Sequence, residues 1–127
     1  MTIYGDRMSD FKKLNVWQKA HELTLHLYPA TAVFPKSELY GLTSQMRRCC
    51  VSIGSNIAEG CGRAGENEKA RFLQIALGSL SELEYQVLVA RDLGYLSTEG
   101  AEDLIRRILE IGRMLGSLLN KVRAASA

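Results

Sequence analysis

The chain has 127 residues, of which 46% are hydrophobic and 24% are charged, and its net charge at pH 7 is +2. This length suffices for one domain with a sizeable core, and the composition is that of an ordinary soluble globular protein. Because the net charge is so small, a nucleic-acid-binding function would have to depend on a local basic patch.

Cysteine usage and the lack of targeting signals favour the cytoplasm. The cysteine count of three is odd, and the adjacent Cys49 and Cys50 would point about 100° apart on a helix, a poor geometry for a disulfide. Residues 1–13 contain no apolar core of signal-peptide length, and no apolar run approaches the length of a membrane span. We therefore expect a soluble protein of a reducing compartment, with no membrane partner.

Helical periodicity runs through almost the whole chain and predicts four helices. The first covers about residues 15–33, with Asn15 as its N-cap and Gln18 completing a capping box. The second follows Ser37, a favourable N-cap residue, and ends near residue 59.

The second half of the chain continues the helical pattern. A third helix is predicted over about residues 66–93, where Gly94 in a left-handed conformation ends it. Ser97 then caps a fourth helix that ends near residue 123. Connections this short predict an all-α fold, an antiparallel up-down-up-down four-helix bundle. We expect a flexible N-terminal arm over residues 1–12, the bundle over residues 13–124 and a frayed tail over residues 125–127.

Two of the four helices carry more apolar surface than one core requires. On the first and fourth helices, a second apolar stripe lies beside the stripe expected to face the core. A second stripe needs a second partner, such as another subunit, unless both helices lie unusually deep inside one bundle. We favour a homo-oligomer, with an interface formed by Trp17, His21, Leu25, Tyr28, Ile105, Leu109, Gly112 and Gly116.

The second helix also carries a line of polar side chains at helical spacing. Polar residues on the third helix, three and four positions apart, are candidates to face it. Either the two sets form a hydrogen-bond network that fixes helix register, including an Arg48–Glu82 pair, or they line a groove for a ligand or nucleic acid. We favour the network, formed by Arg48, Ser52, Asn56, Glu59, Ser79 and Glu82.

Three patterns that suggest chemistry are rejected. The run Gly60-x-Gly62-x-x-Gly65 matches a dinucleotide-binding fingerprint, but that fingerprint requires a preceding strand, and here a helix precedes it. Neither His21 nor His26 lies in the Glu-x-x-His spacing of di-metal bundles. Cys61 has no histidine nearby in sequence to activate its thiol. The sequence therefore predicts no catalytic residue, no metal and no cofactor.

Basic residues form one candidate nucleic-acid site. Most arginines of the fourth helix fall near carboxylates at helical spacing, as Glu110 and Arg113 do, which favours solvated, paired faces. Four other basic residues are predicted around one end of the bundle, where an oligomer would repeat them by symmetry and favour phosphate binding. They are Arg47, Arg63, Lys69 and Arg71.

Several motifs are specific in combination. The most specific are Asn56-Ile57-Ala58-Glu59-Gly60 and Gly78-Ser79-Leu80-x-Glu82-Leu83, with Phe34-Pro35-x-x-Glu38 and Leu93-Gly94-Tyr95-Leu96 as further parts. Together they resemble one bacterial family, the four-helix-bundle proteins encoded in intervening sequences of 23S ribosomal RNA genes, and the match covers nearly the whole chain after the arm. Cys49-Cys50 departs from the small apolar residues, such as alanine, that are usual there.

The resemblance implies a ring-like homopentamer without enzymatic activity. A similar protein in diversity-generating retroelements binds a reverse transcriptase and its RNA, so RNA or an RNA-handling protein is the partner class expected by analogy. The alternatives are a protein–protein interaction scaffold without nucleic-acid binding and, third, a small-molecule site or enzyme along Arg48, Asn56, Glu59 and Glu82.

Overall fold

A computed structural model describes residues 10–126 of the chain, and every regular element in this range is helical. The prediction of four helices is confirmed, and no strand occurs between residues 10 and 126. The elements are a 3-10 helix (Asp10–Lys13), α1 (Asn15–Ala32), a second 3-10 helix (Lys36–Glu38), α2 (Leu42–Cys61), α3 (Glu66–Asp92) and α4 (Thr98–Ser126).

The four helices surround one apolar core. α1 contacts α2 and α4, and α3 contacts the same two helices, so α1 and α3 lie across the core from each other. Each helix contributes fully buried side chains, among them Leu23, Ile53, Leu83 and Ile111. Burying side chains of this size stabilises the fold by about 1.5–3 kcal/mol each, which makes the core the main source of stability.

Helical spacing predicts one core stripe on each helix, with Phe72 in that of α3 and Leu118 in that of α4, and the structure corrects both positions. On α3, Leu73 is buried while Phe72 is only half-buried, because the ring of Phe72 lies at the surface beneath arginine side chains. On α4, Leu119 belongs to the core and Leu118 is half-buried, although Leu119 continues the spacing of Gly112 and Gly116 and was therefore expected in the second apolar stripe. The core face of α4 is therefore wider than one stripe.

The starts of α1 and α2 also differ from the prediction. Leu14 occupies the N-cap position of α1, no side chain caps that helix, and Gln18 Nε2 donates to Lys12 O at 2.9 Å instead of completing a capping box. Ser37 lies within the second 3-10 helix, and the carboxylate of Glu38 accepts the Leu42 amide at 3.2 Å. Residues 36–38 thus form a separate turn, and Glu38, not Ser37, accepts a free amide at the start of α2.

The junction between α3 and α4 is as predicted. Gly94 has φ of 79°, a left-handed conformation that favours glycine. Ser97 Oγ accepts the Gly100 amide at 3.0 Å and so caps α4. Tyr95, between the two, donates to Glu38 Oε2 at 3.0 Å and ties this junction to the one before α2.

The chain termini are only partly described. Most of the predicted N-terminal arm, residues 1–9, lies outside the described residues, whereas Asp10–Lys13 is a 3-10 helix whose Phe11 ring packs edge-on against Trp17 at 5.0 Å. α4 continues to Ser126, beyond the predicted end at residue 123. Between residues 10 and 126, no helix is both long and apolar enough to cross a membrane.

Candidate nucleic-acid interface

Basic side chains collect at one end of the molecule, which we call the basic end. A cavity of about 210 Å³ marks it, lined by residues that precede or begin α1 and α3 and by residues that end α2 and α4, including Leu14, Cys61, Lys69 and Val122. The acidic residues around this end are Asp10 of the first 3-10 helix, Glu59, Glu66 and Glu68. The basic residues outnumber them and are Lys12, Lys13, Arg63, Lys69, Arg71, Lys121 and Arg123.

Two of these arginines lie over an aromatic ring. The guanidinium carbon of Arg63 is 4.9 Å from the centre of the Phe72 ring, and that of Arg71 is 4.6 Å from it. Such contacts hold a guanidinium in place without using its N–H groups. The position of Phe72 at the surface, which the apolar spacing of α3 did not indicate, is therefore accounted for by its two arginine neighbours.

The ion pairs at the basic end are local, and two of the three are exposed while the Lys69–Glu66 pair is half-buried. Arg63 lies 3.0 Å from Glu59, Lys69 lies 3.5 Å from Glu66, and Arg71 lies 3.2 Å from Glu68. Exposed pairs of this kind contribute only about 0–1 kcal/mol. Because each guanidinium has five N–H donors, Arg63 and Arg71 retain donors for an incoming phosphate.

Arg47 does not belong to the basic end. Its Nε donates to Thr31 Oγ1 at 2.9 Å, its Nη2 donates to Tyr28 O at 3.1 Å, and its guanidinium lies 4.6 Å from the centre of the Tyr28 ring. Arg47 is in the second turn of α2 and Arg63 follows the end of that helix, so about 24 Å of helix separates them. The prediction that Arg47 shares one end with Arg63 is wrong, and Arg47 instead ties α2 to the last turns of α1.

Part of the predicted polar network is present between α2 and α3. Ser52 Oγ and Ser79 Oγ are 3.0 Å apart, and Asn56 Nδ2 donates to Ser52 Oγ at 3.0 Å and to Ser52 O at 2.8 Å. Cys49 Sγ donates to Ser79 O at 3.0 Å. These half-buried polar groups satisfy one another, which leaves little free hydrogen-bonding capacity for a ligand.

The charged members of that network lie elsewhere. Arg48 is exposed and forms no ion pair with Glu82 among the described side chains. Glu59 pairs with Arg63, and Glu82 accepts from Gln86 Nε2 at 3.2 Å. Including Arg48 and Glu59 in the network was therefore wrong, since an exposed charge gains more from water or a local partner than from a fixed pair. Gln86 Oε1 is buried without a partner in the described structure.

The two buried thiols are poorly suited to chemistry. Burial raises the pKa of the Cys49 thiol to about 12, with the Glu82 carboxylate acting in the same direction. Burial also raises the pKa of Cys50, whose Sγ lies 3.4 Å from Thr24 Oγ1. Both side chains stay protonated at neutral pH and pack as small apolar groups. Within the described residues, no three His, Cys, Asp or Glu side chains are placed to hold a metal.

The second apolar stripe of α1 and the second apolar stripe of α4 lie on different flanks of the molecule. Trp17 on α1 stacks on His21 at 5.1 Å and is adjacent to Gly54 of α2, so this stripe borders α2. On α4, Leu109 and Gly112 line a groove shared with α3 residues. Leu25 is 60% exposed and Leu109 is 46% exposed, whereas Trp17 and Ile105 are half-buried against the core.

Sequence reasoning missed several members of the basic end. Lys12 was assigned to the arm and Lys13 to the first residue of the bundle, yet both belong to a 3-10 helix that packs beside α1 and α2. Arg123 Nη2 donates to Gln74 Oε1 at 2.7 Å, which places the end of α4 beside the first half of α3. The short loops joining consecutive helices were the available signal, since they bring the ends of neighbouring helices together.

Two comparisons with known proteins give a match. A family model described as 23S rRNA-intervening sequence protein matches residues 12–117. A solved structure from Bacteroides thetaiotaomicron VPI-5482, described as a protein with unknown function from the S23 ribosomal protein family, is similar with a TM-score of 0.74 and 24% identity, covering 82% of this chain and 97% of that chain. At this identity the structural likeness shows the fold alone. No curated protein matches the chain.

Proposed function

Since the chain belongs to the 23S rRNA-intervening sequence protein family, we propose that it is a non-enzymatic, cytoplasmic homo-oligomer that binds RNA or a ribonucleoprotein through its basic end. The observation that carries this proposal is that Arg63 and Arg71 lie over the Phe72 ring, on the end whose cavity Lys69 lines and where basic side chains outnumber acidic ones.

The chemistry of this cluster suits a phosphate backbone. Guanidinium groups donate two parallel hydrogen bonds to phosphate oxygens, and such contacts release counterions from the nucleic acid. The side chains of Arg63 and Arg71 are 44% and 58% exposed, so an RNA strand can reach them without rearrangement of the fold. The nearby carboxylates Glu59 and Glu68 orient the arginines but only partly neutralise the surface.

The proposed assembly is a ring of bundles whose helices run antiparallel in up-down-up-down order. Two observations support it. The cavity at the basic end joins the beginnings of α1 and α3 with the ends of α2 and α4, as antiparallel neighbours require. The second apolar stripe of α1 lies beside α2, and that of α4 lies beside α3. The α1–α2 flank of one copy could therefore contact the α3–α4 flank of the next copy. Such a head-to-tail contact generates a ring when the rotation closes.

A ring would strengthen a modest surface. Each copy would carry its basic end at the same rim, and an RNA spanning two copies would bind the second in an intramolecular step. The family resemblance implies five copies, and a reverse transcriptase with its RNA is an example of the expected partner class. A binding function also fits the interior, because Ser52, Asn56 and Ser79 bond one another and the buried thiols remain protonated.

Charge reversal tests the RNA-binding surface. Arg63→Glu with Arg71→Glu should weaken the binding of a fluorescein-labelled stem-loop RNA about tenfold or more at low salt, measured by fluorescence anisotropy. The matched control is Arg91→Glu at the other end of α3, which makes an equal change per site at a half-buried arginine paired with Asp92. Binding that is absent at low salt, or equally weakened in the control, contradicts the proposal.

Mass measurements test the oligomer separately. Sedimentation equilibrium should give a mass several times that of one chain, and Leu25→Glu or Leu109→Glu should lower it, since both side chains are exposed in the single chain. These substitutions should leave the helix content unchanged. A monomeric mass of the natural chain at micromolar concentration would contradict the oligomer.

A protein-interaction scaffold is the second candidate. The segment between α1 and α2 exposes apolar side chains, with Val33 80% and Tyr40 92% exposed, beside a groove lined by Phe34, Leu39 and Thr43. Recovery of one protein partner after nuclease treatment, abolished by Tyr40→Glu, would favour this function. Loss of every partner on nuclease treatment would favour RNA binding instead.

A further inference from the structure

A second basic site lies away from the basic end, on the face formed by α1 and α4. Here Lys19, Arg106, Arg107, Glu110 and Arg113 line a cleft of about 360 Å³. Small-molecule sites usually occupy about 300–1,000 Å³, so the cleft can accommodate a small anion. Four of its five lining side chains are cationic.

Fixed contacts position the two adjacent arginines. Asp103 accepts from both, from Arg107 Nε at 3.0 Å and from Arg106 Nη2. This leaves most of the N–H donors of each guanidinium unused. The geometry differs from the simple pairing expected along α4, because a single carboxylate serves two arginines.

The remaining charges of the cleft do not cancel. The sequence spacing suggested that Glu110 pairs with Arg113. Glu110 instead lies 3.6 Å from Lys19 of α1, across the groove. Arg113 is exposed and forms no ion pair with a described carboxylate. Lys19 also lies 3.9 Å from Glu22. Counting Asp103 and Glu22 with the lining residues, three carboxylates face four cations. Like charges held around one space repel one another, and a multivalent anion would relieve that repulsion.

From this arrangement we infer that the cleft formed by Lys19, Arg106, Arg107 and Arg113 binds phosphoryl oxygens, either of a free polyphosphate or of an RNA backbone. Its guanidinium groups match phosphate oxygens in geometry as well as charge. The site is independent of the basic end, because Arg113 and Arg123 are ten residues apart on α4, about 15 Å along the helix.

The place of the cleft in the fold keeps it available in an assembly. The second apolar stripes border the α1–α2 and α3–α4 pairs, whereas the cleft lies between α1 and α4. A ring closed through those two flanks would leave the α1–α4 face uncovered on every copy.

Pyrophosphate and RNA are the two probes that test the site. Binding of sodium pyrophosphate is measured by isothermal titration calorimetry at low ionic strength, and binding of a fluorescein-labelled single-stranded RNA by anisotropy. The double variant Arg106→Gln, Arg113→Gln should lower the affinity for at least one of the two probes about tenfold. Arg91→Gln should change neither affinity by more than about twofold. Circular dichroism and sedimentation of the variants confirm that fold and mass are retained, as the exposure of both arginines predicts.

Each outcome identifies a source of phosphate or rejects the site. Loss of pyrophosphate binding alone supports a free polyphosphate ligand, and loss of RNA binding alone supports phosphodiesters. The inference is overturned if neither probe binds, or if the glutamine variants bind both as the natural chain does. Arg63→Glu with Arg71→Glu separates the two proposals, since it removes binding at the basic end and should leave pyrophosphate binding unchanged.

Discussion

Gly60 lies where α2 packs closely against α3, and replacing it by alanine should destabilise the protein. A Cβ atom at this buried position would lie 3.3 Å from Phe72 Cβ and 3.4 Å from Lys69 O. Both atoms belong to one turn of α3, so neither can move without displacing the helix. Overpacking of this kind costs about 1–3 kcal/mol, whereas the gain in helix propensity is about 0.5–1 kcal/mol. We expect a net loss of about 1 kcal/mol.

Gly78→Ala provides the matched control on α3. No atom lies within 4 Å of a Cβ at Gly78, so this variant should gain about 0.5–1 kcal/mol from helix propensity alone. Urea unfolding followed by far-UV circular dichroism, at one protein concentration, measures both changes. The two free energies of unfolding should differ by roughly 2 kcal/mol. If Gly60→Ala is as stabilising as Gly78→Ala, the close packing does not restrict that position and the reasoning fails.

Further predictions concern the α2–α3 contact and the thiols. Ser79→Ala should lower the free energy of unfolding by about 1 kcal/mol, while the exposed Ser81→Ala changes it by less than about 0.5 kcal/mol; equal effects would mean that the contact with Ser52 contributes nothing. A thiol reagent at neutral pH should modify Cys61 in the folded protein but reach Cys49 and Cys50 only on unfolding, and rapid modification of all three would show that the two are not buried. Because the pKa of Cys49 is raised from 9.0 to about 12, its contribution to stability should be constant below pH 9 and fall by up to about 1.4 kcal/mol per pH unit above it. The Cys49→Ala variant should lack this contribution to the decrease in the free energy of unfolding above pH 9. If the variant and the natural chain show the same pH dependence, the pKa of Cys49 is not raised.

Periodic apolar spacing was sufficient to predict the helices and most of the core. Long helices repeat the same signal many times, so a single exception such as Phe72 does not obscure it. Helix starts were less predictable, because a cap depends on one side chain. Ser37 and Glu38 are both plausible near the start of α2, and only the three-dimensional turn decides that Glu38 accepts the Leu42 amide.

The candidate sites depended on information that spacing lacks. Arg47 was placed with Arg63 although about 24 Å of α2 lies between them, a distance that the helix rise alone already gives. The α1–α4 cleft could not be recognised in the same way, since Lys19 and Arg113 come from helices far apart in sequence. Local spacing paired Glu110 with Arg113, but the neighbouring helix provides Lys19 as its actual partner.

The salt dependence of RNA binding is the most direct test of the central claim, that the basic end contacts phosphates. The logarithm of the affinity for stem-loop RNA should fall linearly with the logarithm of the salt concentration. Removing Arg63 and Arg71 by substitution with glutamine should reduce the slope by roughly 0.7–0.9 for each lost contact, whereas Arg91→Gln should leave it unchanged. An unchanged slope in the Arg63→Gln, Arg71→Gln variant would contradict the account.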